Sequence, residues 1–290
     1  MMENQRLFLL VALALVMLLI WTTWQQDYGP GRTTPTPTES QQAEEAGEAA
    51  APQPLDNAGS SGAEPVAPET SGADTAETSA DMAETIRVTT DVLALEIPLA
   101  GGNIRQADLL EHTVAVDDPT PFRLLGNRNP LFVAQTGLVG DDVEAPGLRA
   151  QWQASADTYE LQAGQDRLEV PLRWTSENGV TVTRRYIFER DSYLVRVIHE
   201  VNNASDSDWR AYQYSQLRRT AETEGPGFLG AASYTGGVIY SPAEKFQKIS
   251  FGDMEDEDLS RNIADGWLAM IQHYFLAAWV PPRETTLRYY

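Results

Sequence analysis

The feature that most constrains this chain is an uncharged apolar run near its N-terminus, Leu7–Trp24. As a helix its 18 residues rise ~27 Å, close to the hydrocarbon thickness of a bilayer. Leu7, Phe8, Leu10, Leu13, Leu15, Leu18 and Ile20 supply the bulk of the apolar surface, and Trp21 and Trp24 close the run. Indole rings favour the membrane–water interface, so the two tryptophans read as an outer anchor. A cleavable secretory signal has a shorter apolar core and small residues at the cleavage site, whereas Gln25-Gln26-Asp27 follows here. Residues 1–24 are therefore expected to be a retained single transmembrane helix.

Orientation follows from the flanks. Arg6 and the α-amino group precede the run, and the next cation is Arg32. That bias places the N-terminus in the cytoplasm and everything from Gln25 onward outside it. The absence of cysteine fits an exported domain without disulfides, and fits a cytosolic protein equally.

Residues 25–84 carry twelve acidic residues against Arg32, a net of −11 out of the −21 of the whole chain, and seven of the 17 prolines. Low hydrophobicity with single-sign charge buries too little surface to offset the entropy of ordering. The stretch is expected to be a disordered acidic linker. With only two lysines, Lys245 and Lys248, and no basic segment, the chain has no footprint for nucleic acid.

Residues 85–290 read as β structure. Ile86–Val88 and Val92–Ile97 are strand candidates leading into Gly101-Gly102-Asn103, a turn where positive φ costs little. Leu168, Val170, Leu172 and Trp174 alternate towards Asn178-Gly179, which predicts a tight hairpin turn of the primed type. Val180, Val182, Tyr186 and Phe188 return, Arg190-Asp191-Ser192 turns, and Tyr193–Val201 forms a third strand. Trp209–Leu217 is a fourth. A large antiparallel β-sandwich is the expected architecture. Trp267–Val280 is apolar but has 14 residues, includes Gln272 and His273, and ends at Pro281-Pro282. It predicts two buried strands, or one bent strand, rather than a second span.

No chemistry announces itself. Gly225-Pro226-Gly227-Phe228-Leu229-Gly230 matches G-x-G-x-x-G formally but lacks the strand and helix that give the fingerprint meaning. His112, His199 and His273 have no close-spaced ligand partners, and His199 and His273 read as core or rim residues. The acidic run Asp253–Asp258 lacks the spacing of a calcium loop and reads as a solvated loop. No catalytic, cofactor-binding or metal-ligating residue is nominated, and the chain is not expected to be an enzyme.

The order of parts, together with several stretches, resembles the YidC/Oxa/Alb family of membrane protein insertases. The stretches are Asn4-Gln5-Arg6 before the anchor, Val88–Leu95 with Gly101-Gly102, Pro121–Leu125, Gln135–Leu138, Glu244–Lys248 and, most specifically, Gly266–Pro281. The resemblance implies a periplasmic β-supersandwich of the galactose-mutarotase-like kind, incomplete at the C-terminus, on a protein of the bacterial inner membrane. It implies nascent integral membrane proteins, the Sec translocon with its accessory subunits, and the lipid bilayer as partners. In that family a polar groove in a later helical core carries the insertion step, using a groove arginine. No residue here matches that core, so no insertion site is carried over. A tethered carbohydrate-binding or mutarotase-like protein and a translocon-docking scaffold are the other readings, since fold alone does not fix function.

Overall fold

A computed structural model describes residues 84–128, 130–221 and 234–290. The expected membrane segment, the acidic linker and the G-x-G-x-x-G stretch lie outside the described residues. Among those described, no helix is long and apolar enough to cross a membrane.

The described chain is mostly β. Strands β1 (Thr85–Thr89) and β2 (Leu93–Pro98) form a hairpin whose inward residues are Ile86, Val88, Leu93, Leu95 and Ile97. Thr90 closes it, its Oγ1 accepting from the backbone N–H groups of Val92 and Leu93. Strands β3 (Gln106–Ala115) and β4 (Asp118–Leu125) extend this sheet on one side. The short β6 (Thr158–Glu160) adds in parallel to β1, giving the order β4-β3-β2-β1-β6.

A meander of β7 (Arg167–Thr175), β8 (Val180–Glu189) and β9 (Val195–Asn203) makes a second sheet. Period-2 alternation aims Val170, Leu172, Trp174, Val182, Tyr186 and Phe188 at the core that the first sheet also fills. β5 (Phe132–Gly140), which lies between β4 and β6 in sequence, pairs antiparallel with β10 (Ala211–Arg219), which follows β9.

The remaining strands are β11 (Thr235–Ser241), β12 (Lys245–Ile249), β13 (Arg261–Ala264), β14 (Trp267–Gln272), β15 (Phe275–Trp279) and β16 (Thr286–Tyr289). They form a sheet in the order β12-β11-β14-β15 and the pair β13-β16. A small second core holds Ile239, Ile263 and Tyr289.

Three expectations are corrected. The β7–β8 turn is not primed, because only Gly179 has positive φ (89°). The loop has three residues, Glu177-Asn178-Gly179, and the Ser176 side chain accepts from Val180 N–H at 3.0 Å. The acidic run is partly helical: α1 (Phe251–Asp256) starts from a capping box in which Ser250 and Asp253 exchange hydrogen bonds. Trp267–Val280 does form two strands, but the hairpin is only half buried. Ala269 and Met270 are buried on opposite faces of β14, while His273 takes φ 53° at the turn and Tyr274 is 96% exposed.

Candidate functional site

The Gly101-Gly102 turn sits against the most heavily bonded side chain of the core. Arg184, on the buried face of β8, is fully enclosed. Its Nε–H donates to His199 Nε2 at 2.9 Å. Its Nη1 reaches Gly102 O at 2.8 Å and, more loosely, Gly101 O and Asn103 Oδ1, while Nη2 reaches Thr136 O at 2.9 Å. The guanidinium lies over the Trp152 ring, 4.4 Å from its centroid. No carboxylate pairs with it among the described residues, so carbonyl dipoles and a π face offset the cost of burying the charge.

The turn is shaped for this contact. Gly101 and Gly102 have φ of 83° and 62°, and a Cβ on Gly102 would lie 2.6 Å from Trp152 Cδ1. Tyr186, one step along the same strand face, donates its hydroxyl to Gly102 O at 2.6 Å, and burial pushes its pKa up. Asn103 Oδ1 accepts from Thr136 N–H at 2.8 Å. Arg184 thus clamps the turn to β5. Its contacts join three separate segments, β8, β5 and the Gly101-Gly102 turn, and fix their relative positions.

What it positions is the wall of a surface pocket of about 480 Å³. Arg105 follows the clamped turn directly, and its Nη2 donates to Glu96 Oε2 at 3.0 Å. Phe132 begins β5. Its strand partner Arg219 on β10 lies over its ring at 5.1 Å and donates to Gln272 at the end of β14. Trp279 fastens β15 to Gln216 O at 3.0 Å, and Phe122 stacks on Phe275 at 4.2 Å, which holds the β14–β15 hairpin at the rim. Arg123 reaches in from β4, its guanidinium forked onto Asp108 at 2.7 and 3.1 Å, a bond that raises its pKa further. Reciprocal hydrogen bonds between Gly126 and Phe132, both 2.8 Å, close a narrow loop that presents Arg128.

Four arginines therefore face one pocket of a chain whose net charge is −21. Glu96 and Asp108 offset two of them. Along its wall Glu96 holds Arg105 and Asp108 holds Arg123.

Of the sequence-nominated residues, the anchor set Leu7 to Trp24 lies outside the described residues. His199 is a partly buried residue bonded to Arg184, as its place on a strand face implied. His112 packs against the rings of Tyr193 and Phe275, and His273 is at an exposed turn. The three histidines do not meet. Sequence reasoning missed Arg184 and the pocket arginines. Only Arg184 left a signal: it falls in phase with Val182 and Tyr186.

Residues 85–290 match the family described as the YidC periplasmic domain. The chain belongs to that family. It is similar over its whole length to the membrane protein insertase YidC of Alkalilimnicola ehrlichii, with 46% identity, and to that of Methylococcus capsulatus, with 40%. The insertase YidC of Pseudoalteromonas atlantica is 37% identical over 98% of the chain. The chain spans about half the length of these curated relatives. The family match begins at Thr85, the first residue of β1, and runs to the end of the described strands.

Proposed function

We propose that this chain is the anchor and periplasmic part of a membrane protein insertase, a non-enzymatic factor that helps integral membrane proteins enter, fold and assemble in the bacterial inner membrane. The family match over residues 85–290, together with relatives named insertase along the whole chain, carries this reading.

Residues 1–24 anchor the chain through Leu7, Phe8, Leu10, Leu13, Leu15, Leu18, Ile20, Trp21 and Trp24, with the N-terminus in the cytoplasm. Residues 25–84 tether the domain formed by residues 85–290 on the periplasmic side, where the shared core of its sheets belongs to a β-supersandwich. The partners are nascent integral membrane proteins, the lipid bilayer and the Sec translocon with its accessory subunits. The chain spans about half the length of its curated relatives, and the insertion step is assigned to the half that it does not cover. Residues 1–290 alone do not insert clients.

Complementation tests this. In cells depleted of their own insertase, the full-length protein is expected to restore insertion of a dependent client while residues 1–290 are not. Restoration by residues 1–290 would overturn the assignment of insertion to the remaining half, and failure of the full-length protein would overturn the insertase reading itself.

A further inference from the structure

The loop between β7 and β8 sets a reactive pair in the open. Asn178 is the only asparagine of the sequence followed by glycine. It is exposed in the middle of the three-residue loop, and its amide makes no hydrogen bond among the described residues. Gly179 has φ 89°, and a Cβ there would meet nothing closer than 3.9 Å. Its N–H donates to Ser176 O across 3.3 Å, at the long end of the hydrogen-bond range. Other asparagines are held more firmly. Asn103 donates to Gly101 O and accepts from Thr136 N–H, and Asn203 donates to Ser207 O and accepts from Ser205. Asn202 and Asn262 sit within the ladders of β9 and β13.

We propose that Asn178 is a deamidation site, reacting through a succinimide formed with Gly179. The Gly179 backbone nitrogen loses its proton and attacks Asn178 Cγ. The new N–Cγ bond closes the ring, the Cγ–Nδ2 bond breaks, and ammonia leaves with a proton. Glycine permits this because no side chain shields its nitrogen. Water then opens the ring at one of its two carbonyls. Opening at Cγ leaves aspartate, and opening at the backbone carbonyl carbon leaves isoaspartate, whose chain runs through Cγ and is one atom longer. Either product puts a new carboxylate beside Glu177, whose N–H already rests on Glu144 at 3.3 Å. Isoaspartate also lengthens a loop that Ser176 pins twice, through its O to Gly179 and its Oγ to Val180. The inference stands on this loop alone and does not depend on the insertase reading.

Ageing the full 290-residue chain in non-ionic detergent at pH 8.5, in water enriched in oxygen-18, tests it. Trypsin then releases Trp174–Arg184 for mass spectrometry. The expected peptide has NH2 replaced by labelled OH and elutes as two products, aspartyl and isoaspartyl; the label separates ageing from conversion during digestion. Conversion is expected to be faster at Asn178 than at Asn202, Asn203 or Asn262, and slower at pH 6, where less of the amide is deprotonated. It is expected to be slower than in the free Trp174–Arg184 peptide, because Gly179 N–H must first leave Ser176 O. Methyl transfer by an isoaspartyl methyltransferase gives a second readout, which rises with age in the wild type and is lost in Asn178→Gln. No labelled product at Asn178, conversion there no faster than at the other three asparagines, or methyl acceptance undiminished in Asn178→Gln overturns the proposal.

Discussion

Arg184 donates its Nε–H to Nε2 of His199 across 2.9 Å, so two groups that can each carry positive charge share one hydrogen bond inside the protein. The bond requires the Nε2 lone pair, which makes His199 the neutral Nδ1–H tautomer. Protonating His199 would remove the acceptor and set two cations side by side. Burial first, and then the Arg184 charge, lower its pKa from 6.5 to about 4.

This has a consequence for stability. The unfolded chain binds a proton at His199 below about pH 6.5, while the folded chain resists it until about pH 4. The contribution is therefore complete above pH 6.5 and is lost as pH falls from 6.5 towards 4, by about 2–3 kcal/mol in all. Chemical denaturation of the chain in non-ionic detergent at pH 7.5, 6, 5 and 4 is expected to show this slope. His199→Gln, whose amide oxygen can still accept from Arg184, is expected to flatten it over the same range. An unchanged slope in the variant would place the titrating group elsewhere.

Removing the clamp is costlier. Arg184→Met fills much of the same volume but leaves Thr136 O and part of the Gly101-Gly102 turn without donors. The expected loss is roughly 3 kcal/mol or more. Arg184→Lys keeps the charge but cannot reach His199, Gly102 and Thr136 together, and loses about 2 kcal/mol. Thermal unfolding measures both, at about 2–4 °C per kcal/mol for a domain of this size. A midpoint within a degree of wild type for Arg184→Met would contradict the clamp.

Two glycines separate backbone strain from crowding. Gly164 has φ 85° with nothing near its Cβ position, so Gly164→Ala carries only the left-handed penalty of about 1 kcal/mol. Gly102→Ala adds a collision with the buried Trp152 ring and is expected to lose about 2–4 kcal/mol. Equal midpoints in thermal unfolding would show that the ring yields freely.

Much of the scaffold was legible because its strands alternate plainly. Ile86 and Val88, Leu93 and Leu95, and Val170 and Leu172 announce half-buried strands without tertiary information, and Gly101-Gly102 announces its turn. The Asn178-Gly179 pair misled because the chain uses three loop residues, with Ser176 supplying a side-chain acceptor that dipeptide rules ignore. Arg184 was in phase with the core yet its charge argued for solvent; only the acceptors on three other segments make burial tolerable. The pocket was illegible for a different reason. Arg105, Arg123, Arg128 and Arg219 span more than a hundred residues of sequence, and strand pairing alone brings β10 beside β5. Charge runs reveal local patches, not ones assembled by topology.

The most direct test of the central claim combines product size with sidedness. Membranes from the native host would be probed with antibody against residues 85–290, before and after protease is added to intact cells, spheroplasts and lysates. A membrane-bound product of about twice the 32.0 kDa of this chain, protected in intact cells and digested in spheroplasts, is the expected result. A product near 32 kDa, or one that resists protease until the inner membrane is broken, would contradict the account of an insertase whose β domain faces the periplasm.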